Sequence, residues 1–313
     1  MKIIKRYGNL IFFGTMILIP IFLDSRWLAV GTTFLIFSVV ALSEDITLGK
    51  GGCYNLGQAM FFGMGAYTTA ILNVKFHLPI IATIPVAVVI PVAFGVLLAG
   101  PIVHLRGDYL LVGTLGFNII FVQVLQNNLF NLTGGPNGTY GIDYLRVLDM
   151  ELSSQVAIYV VALVMLILTF WIMHNLENSK AGRALHFLRE DHVAAESIGI
   201  NLKAYKIFAF GLGAGLAGMA GSVYTLQYSA VSPESFDYMH SVLFLTIVIV
   251  GGSSFPGVLL GTFLMFVLPE IFREFATWRY FVFGFAMIVT MVLRPEGLWP
   301  ASFGKIPKYM LKG

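Results

Sequence analysis

Long stretches without a single Asp, Glu, Lys or Arg decide what this chain can fold into. They run over 9–23, 27–43, 55–74, 79–103, 109–126, 155–173, 207–229, 241–268 and 280–293. About 20 apolar residues cross the hydrocarbon of a bilayer as a helix. In lipid the backbone must satisfy its own hydrogen bonds, which leaves only helices or closed barrels. A barrel would show segments of about ten alternating residues, and no such alternation is present. The expected fold is all-α, a polytopic transmembrane helical bundle of roughly eight to ten spans. Charged residues make up 11% of the chain, against about a quarter in a soluble domain. Residues 1–313 are therefore read as a single transmembrane domain with no sizeable soluble part.

Lys and Arg mark the cytoplasmic side of membrane proteins. They collect at the N-terminus (Lys2, Lys5, Arg6), in the 175–206 loop (Lys180, Arg183, Arg189, Lys203, Lys206) and in the tail (Arg294, Lys305, Lys308, Lys312). That distribution predicts cytoplasmic termini and a cytoplasmic loop. It also sets a parity problem, because an odd number of runs separates the loop from the tail. GGSSFPG (251–257) interrupts the 241–268 run with Gly, Ser and Pro, as in a discontinuous or re-entrant helix, and counting that run as two passes restores the balance. The lone cysteine, Cys53, excludes an intrachain disulfide. The net charge of +3 is small and scattered beside apolar runs, so no nucleic-acid surface is indicated.

Enzymatic machinery is missing from the sequence. There is no phosphate-binding G-x-x-x-x-G-K-[S/T], no H-x-x-x-H and no G-x-S-x-G, so neither a catalytic residue nor a metal site is expected, and no cofactor. Ion-coupled carriers commonly keep ionisable groups inside their spans. With none inside the runs above, the energy for any pumping is expected from a separate subunit. The 175–206 loop is where such a subunit would push. Ser179 is a candidate N-cap for one short helix, and Gly199 with Asn201 closes a second.

Within that loop, V-A-A-E-S-I-G (Val193 to Gly199) resembles the E-A-A-x-x-x-G signature of ABC importer permeases, with Val193 where the signature has Glu. Nine further segments, in order, are similar to branched-chain amino-acid ABC permeases of the LivM-like branch. They are N-L-G-Q-A-x-F-x-G-x-G-A-Y (Asn55 to Tyr67), L-R-G-D-Y (Leu105 to Tyr109), T-L-G-F (Thr114 to Phe117), T-G-G-x-N-G (Thr133 to Gly138), G-R-A-L (Gly182 to Leu185), G-x-A-G-M-A-G (Gly215 to Gly221), S-P-E-S-F (Ser232 to Phe236), V-G-G (Val250 to Gly252) and R-P-E-G-L (Arg294 to Leu298). The resemblance implies a permease subunit of an ATP-driven importer in the bacterial cytoplasmic (inner) membrane. Its partners would be a second, LivH-like permease, two cytoplasmic ATPase subunits and an extracytoplasmic substrate-binding protein. A urea, amide or sugar permease of the same superfamily shares the layout, and a gradient-driven secondary transporter is the competing class.

For coupling to the ATPase, the resemblance singles out Arg183, Ala194, Ala195, Glu196 and Gly199. Polar groups inside apolar runs are the candidates for the substrate pathway: Asn55, Gln58, Tyr67, Thr68, Thr114, Asn118, Gln123 and Thr246. Gly211, Gly215, Gly218 and Gly221 are read as helix-packing residues, since small side chains let helix backbones approach in lipid.

Overall fold

The computed structural model describes residues 24–271 apart from 103, 104, 106, 148, 149 and 153, together with isolated positions nearer each end. The runs at 9–23 and 280–293, and the tail that set the parity problem, lie almost wholly outside the described residues.

Ten helices account for most of what is described. Helix α1 spans Ser25–Lys50, its last turn, Ile46–Lys50, widening into a π-helix. It is followed by α2 (Gln58–Val74), α3 (Ile80–Ile102), α4 (Asp108–Gln126) and α5 (Gln155–Asn178). Two short helices, α6 (Lys180–Glu190) and α7 (His192–Ser197), come next. They lead into α8 (Leu202–Tyr228), α9 (Tyr238–Gly251) and α10 (Phe255–Ile271). Six helical segments of 18 residues or more are apolar enough to cross a membrane, and α2 and α10 are slightly shorter.

Polar side chains start these helices where the sequence leaves backbone N–H groups without partners. Ser179 Oγ accepts from Gly182 N at 3.0 Å to begin α6, and Asp191 Oδ1 accepts from Val193 N at 2.8 Å to begin α7. Asn201 Oδ1 caps α8 through Ala204 N at 3.0 Å. The expected interruption at GGSSFPG is present. The chain turns at Gly252 to Ser254 and α10 runs back along α9, so that Gly261 sits against the Ile247 carbonyl and Gly257 against Gly251. The 241–268 run is thus divided between two helices.

Helix α8 is the hub, packed against α1, α2, α3 and α5. Its glycines are what permit this. A methyl group at Gly218 would strike the Ala87 carbonyl of α3, and one at Gly221 the Phe62 carbonyl of α2, while Gly211 and Gly215 face Val96 and Val92 of α3. All four packing glycines therefore lie at helix contacts. Toward the far end of the bundle, Phe62, Tyr224, Phe236 and Phe244 meet edge to face, with centroids 5.2 to 6.0 Å apart around Phe62. There two short antiparallel pairs complete the fold: β1 (Thr139–Tyr140) with β4 (Ala230–Val231), and β2 (Leu145–Val147) with β3 (Met150–Leu152).

Candidate functional site

The polar chemistry of the bundle gathers around the break between α1 and α2, residues 51–57. A helix that begins inside an apolar bundle exposes N–H groups that water cannot reach, and leaving each unpaired costs about 1–3 kcal/mol. Three backbone N–H groups, two just before this start and one in its first turn, find side-chain acceptors here. Leu56 N donates to Thr114 Oγ1 of α4, Gly57 N to Asn55 Oδ1 and Ala59 N to Ser241 Oγ of α9, each at 2.9 Å. Asn118 Nδ2 reaches the same Ser241 oxygen at 3.1 Å. Gln58 Nε2 donates to Ser43 Oγ at 2.5 Å and lies 3.4 Å from the Gly213 carbonyl. Since Gly213 is about 16 Å along α8 from Leu202 at 1.5 Å per residue, α2 starts well inside the bundle.

Four of the pathway candidates, Asn55, Gln58, Thr114 and Asn118, are therefore brought together, all 3% exposed or less. The others are elsewhere. Tyr67 is buried against Phe236 farther along α2, with no hydrogen-bond partner for its hydroxyl among the described residues. Thr68 and Thr246 are buried outside the network, and Gln123 is exposed on the outside of α4. The recess beside the break, lined by Asn55, Met60, Phe61, Thr114, Phe117 and Phe210, holds little more than a water molecule. This recess is too small for an amino acid.

One expectation is overturned. The apolar run ending at residue 43 does not end the helix, and α1 carries Glu44, Asp45 and Lys50 into the protein interior at 0%, 0% and 6% exposure. Ionisable groups do lie within this span, so their supposed absence argues nothing about the energy source. Asn55 Nδ2 donates to Glu44 Oε2 at 3.1 Å and to Gln58 Oε1 at 2.9 Å. Lys50 Nζ lies 3.5 Å from Asp45 Oδ2 and 2.6 Å from Glu177 Oε1, on the last turn of α5. The clue available beforehand was that Ser43-Glu44-Asp45 precedes no Gly or Pro until Gly49, so nothing local stops the helix at residue 43. Ser43 and Ser241 were missed as well, because a serine gives no sign of which buried donor it will meet. Just beyond α1, burial pushes the Cys53 thiol up to about 11.

The second region is the α6–α7 hairpin. Ala195 is buried, 2% exposed, beneath α7. Arg183, Ala194, Glu196 and Gly199 are exposed, and Gly199 adopts φ +82°, a left-handed turn that ends the helix. Beside them stand three large apolar side chains facing outward, Phe187 at 52% exposure and Val193 and Ile198 at 66% each. On the inner side, Arg189 Nη1 donates to the Gly49 carbonyl.

The family described as branched-chain amino acid transport system / permease component matches residues 27–291. The LivM permease protein of the high-affinity branched-chain amino acid transport system of Escherichia coli K12 is 33% identical over 307 residues, covering 90% of this chain and 72% of that protein. A probable branched-chain amino acid transport permease LivM of Methanocaldococcus jannaschii is 24% identical, covering 85% of this chain and 91% of its own length. The LivH permease protein of Escherichia coli K12 is 23% identical, covering 84% and 90%. No solved structure matches.

Proposed function

The chain belongs to the branched-chain amino acid transport permease family, and from that membership we propose that it is a membrane-spanning subunit of an ATP-driven importer. It would carry branched-chain, hydrophobic amino acids into the cytoplasm by alternating access. Relatives named LivM and LivH both match this chain, which supports a pair of homologous permeases. In this reading two cytoplasmic ATPases and an extracytoplasmic binding protein complete the assembly. The chain itself contributes no ATP hydrolysis, and it lies in the bacterial cytoplasmic membrane with both termini inside.

The observation that carries the coupling is the outward face of the α6–α7 hairpin. Phe187, Val193 and Ile198 are half-exposed or more, next to Arg183, Ala194 and Glu196 and outside every candidate span. An apolar face that neither lipid nor the chain's own core covers suits a protein partner. The hairpin would be the ATPase dock, and its motion would open the closed α1–α2 break through Asn55, Gln58, Thr114 and Asn118.

The test is affinity purification with the binding protein, followed by titration of that protein with leucine, urea and ribose. Recovery of an ATPase and preferential binding of leucine support the reading. Recovery without any ATPase overturns it, and preference for urea or ribose moves the substrate class. The buried Glu44 and Asp45 favour one rival, a gradient-driven carrier. That rival loses uptake on adding an uncoupler, whereas the importer's uptake follows ATP.

A further inference from the structure

We propose that Lys50 is a positioning residue that joins the α6–α7 hairpin to the transmembrane core, so that movement of the hairpin is delivered to the start of α2. The proposal rests on the importer reading above and adds to it the physical link between dock and pathway.

Segment 49–52, which leads directly into Asn55 to Gln58, is held from two sides. On the hairpin side, Lys50 Nζ pairs with Glu177 Oε1 at 2.6 Å, one residue before the Asn178–Ser179 junction with α6. At the other end of α6, Arg189 donates to the Gly49 carbonyl. Gly52, at φ +63°, lets α6 come so near that a methyl group there would sit 3.1 Å from Arg189 Cα. On the core side, Lys50 also reaches Asp45 Oδ2 at 3.5 Å. Gly49 lies against the Asp45 carboxylate and against Ser253 in the turn between α9 and α10.

These contacts have the properties a mechanical link needs. Lys50 and Asp45 are shielded from water, and separating ions in such a place leaves each uncompensated, so the pair moves together rather than stretching apart. The segment they hold begins as the π turn Ile46–Lys50, a local change of helical register at the end of α1. The next polar contacts along the chain, Asn55 to Glu44 and Gln58 to Ser43, tie the start of α2 back to α1. A displacement of α6 is therefore passed to the break and not dissipated in a loose loop. Ala195 is buried while Phe187 and Ile198 face out, so the hairpin packs one side on the bundle and presents another outward.

The test uses the assembled transporter in proteoliposomes, with ATP hydrolysis and leucine uptake measured on the same vesicles. The variants are Lys50→Met, Lys50→Arg and Glu177→Gln. In Lys50→Met the ATPase subunits stay bound and hydrolysis continues, while uptake per ATP falls about 5-fold or more. Lys50→Arg restores the yield, and Glu177→Gln, which removes the outer partner only, lowers it less. A residue that merely stabilised the fold would lower assembly, hydrolysis and uptake together. Wild-type yield in both Lys50→Met and Glu177→Gln overturns the proposal, as does a parallel loss of hydrolysis and uptake in the two. If Lys50→Met does not assemble, Glu177→Gln decides alone. Failure of the importer reading is separately visible, because the wild-type vesicles would then show no ATP-dependent uptake.

Discussion

Replacing Gly221 by alanine places a methyl group between α8 and α2 where their backbones come closest. The new carbon would fall against the Phe62 carbonyl oxygen, 2.6 Å from the Ala66 nitrogen and 3.2 Å from the Gly65 carbonyl carbon, where ordinary contact begins at 3.4 Å. The obstruction is backbone, which has no rotamer to change, so the helices must part. The Thr225 Oγ1 to Ala66 carbonyl hydrogen bond, now 3.2 Å, is strained with them. Overpacking costs about 1–3 kcal/mol, and the upper end applies when two backbones must move. Alanine's better helix propensity returns about 1 kcal/mol, leaving a net loss of about 2 kcal/mol. At about 2.1 cal/mol/K of unfolding entropy per residue, a chain of 313 residues then loses about 3 °C of apparent unfolding midpoint. The single cysteine supplies the assay: Cys53 is 2% exposed, so a thiol-reactive fluorophore in detergent reports unfolding through one site. Gly116→Ala, on α4 with nothing within 4 Å of the added methyl, is the control and should melt at or above wild type. Were Gly221→Ala to melt as high as Gly116→Ala, close helix approach would not be the reason for glycine at this position.

Three further outcomes are expected. Ser241→Ala removes the acceptor shared by Ala59 N–H and Asn118 Nδ2 and should destabilise by about 1–3 kcal/mol; a midpoint equal to that of Thr246→Ala, outside the network, would show that the α2 start does not depend on it. With its pKa raised from 9.0 to about 11 by burial, Cys53 stays a neutral thiol in the folded protein, and its contribution to stability is intact below pH 9 and is lost as pH rises toward 11. Maleimide at pH 8 should accordingly label the denatured chain and not the folded one, and equal labelling of both would disprove the buried placement. Phe187→Glu, Glu196→Lys and Gly199→Trp should each abolish ATPase co-purification and uptake while membrane insertion, measured by fractionation, is unchanged; normal uptake in all three would remove the hairpin's docking role.

Much of the scaffold is legible in the sequence because lipid imposes one local rule on every span. Runs such as 79–103 and 109–126 match α3 and α4 to within a residue or so, since an apolar run in that solvent must close its own hydrogen bonds. The break at GGSSFPG and the two-helix loop were readable for a similar reason, Gly, Ser and Pro acting on their own neighbours. The polar residues were legible only in part. Asn55, Gln58, Thr114 and Asn118 stood out as polar groups in apolar runs, yet nothing local shows that they gather around the start of α2. Gln123 has the same sequence credentials and lies outside the group, because which side of α4 faces inward depends on what packs against it.

The amino-acid sequence by itself determined the solvent, the helical fold, the position of the α9–α10 interruption and the likeness to a permease family, all consequences of side chains acting within a few residues. Only the tertiary structure decided that Glu44, Asp45 and Lys50 are interior. A carboxylate after an apolar run reads the same whether water or protein follows, and the groups that meet Lys50 and Asp45 come from far along the chain, Glu177 from α5 and Ser253 from the α9–α10 turn. Burial of a charge depends on partners meeting in space, and that meeting is settled by packing.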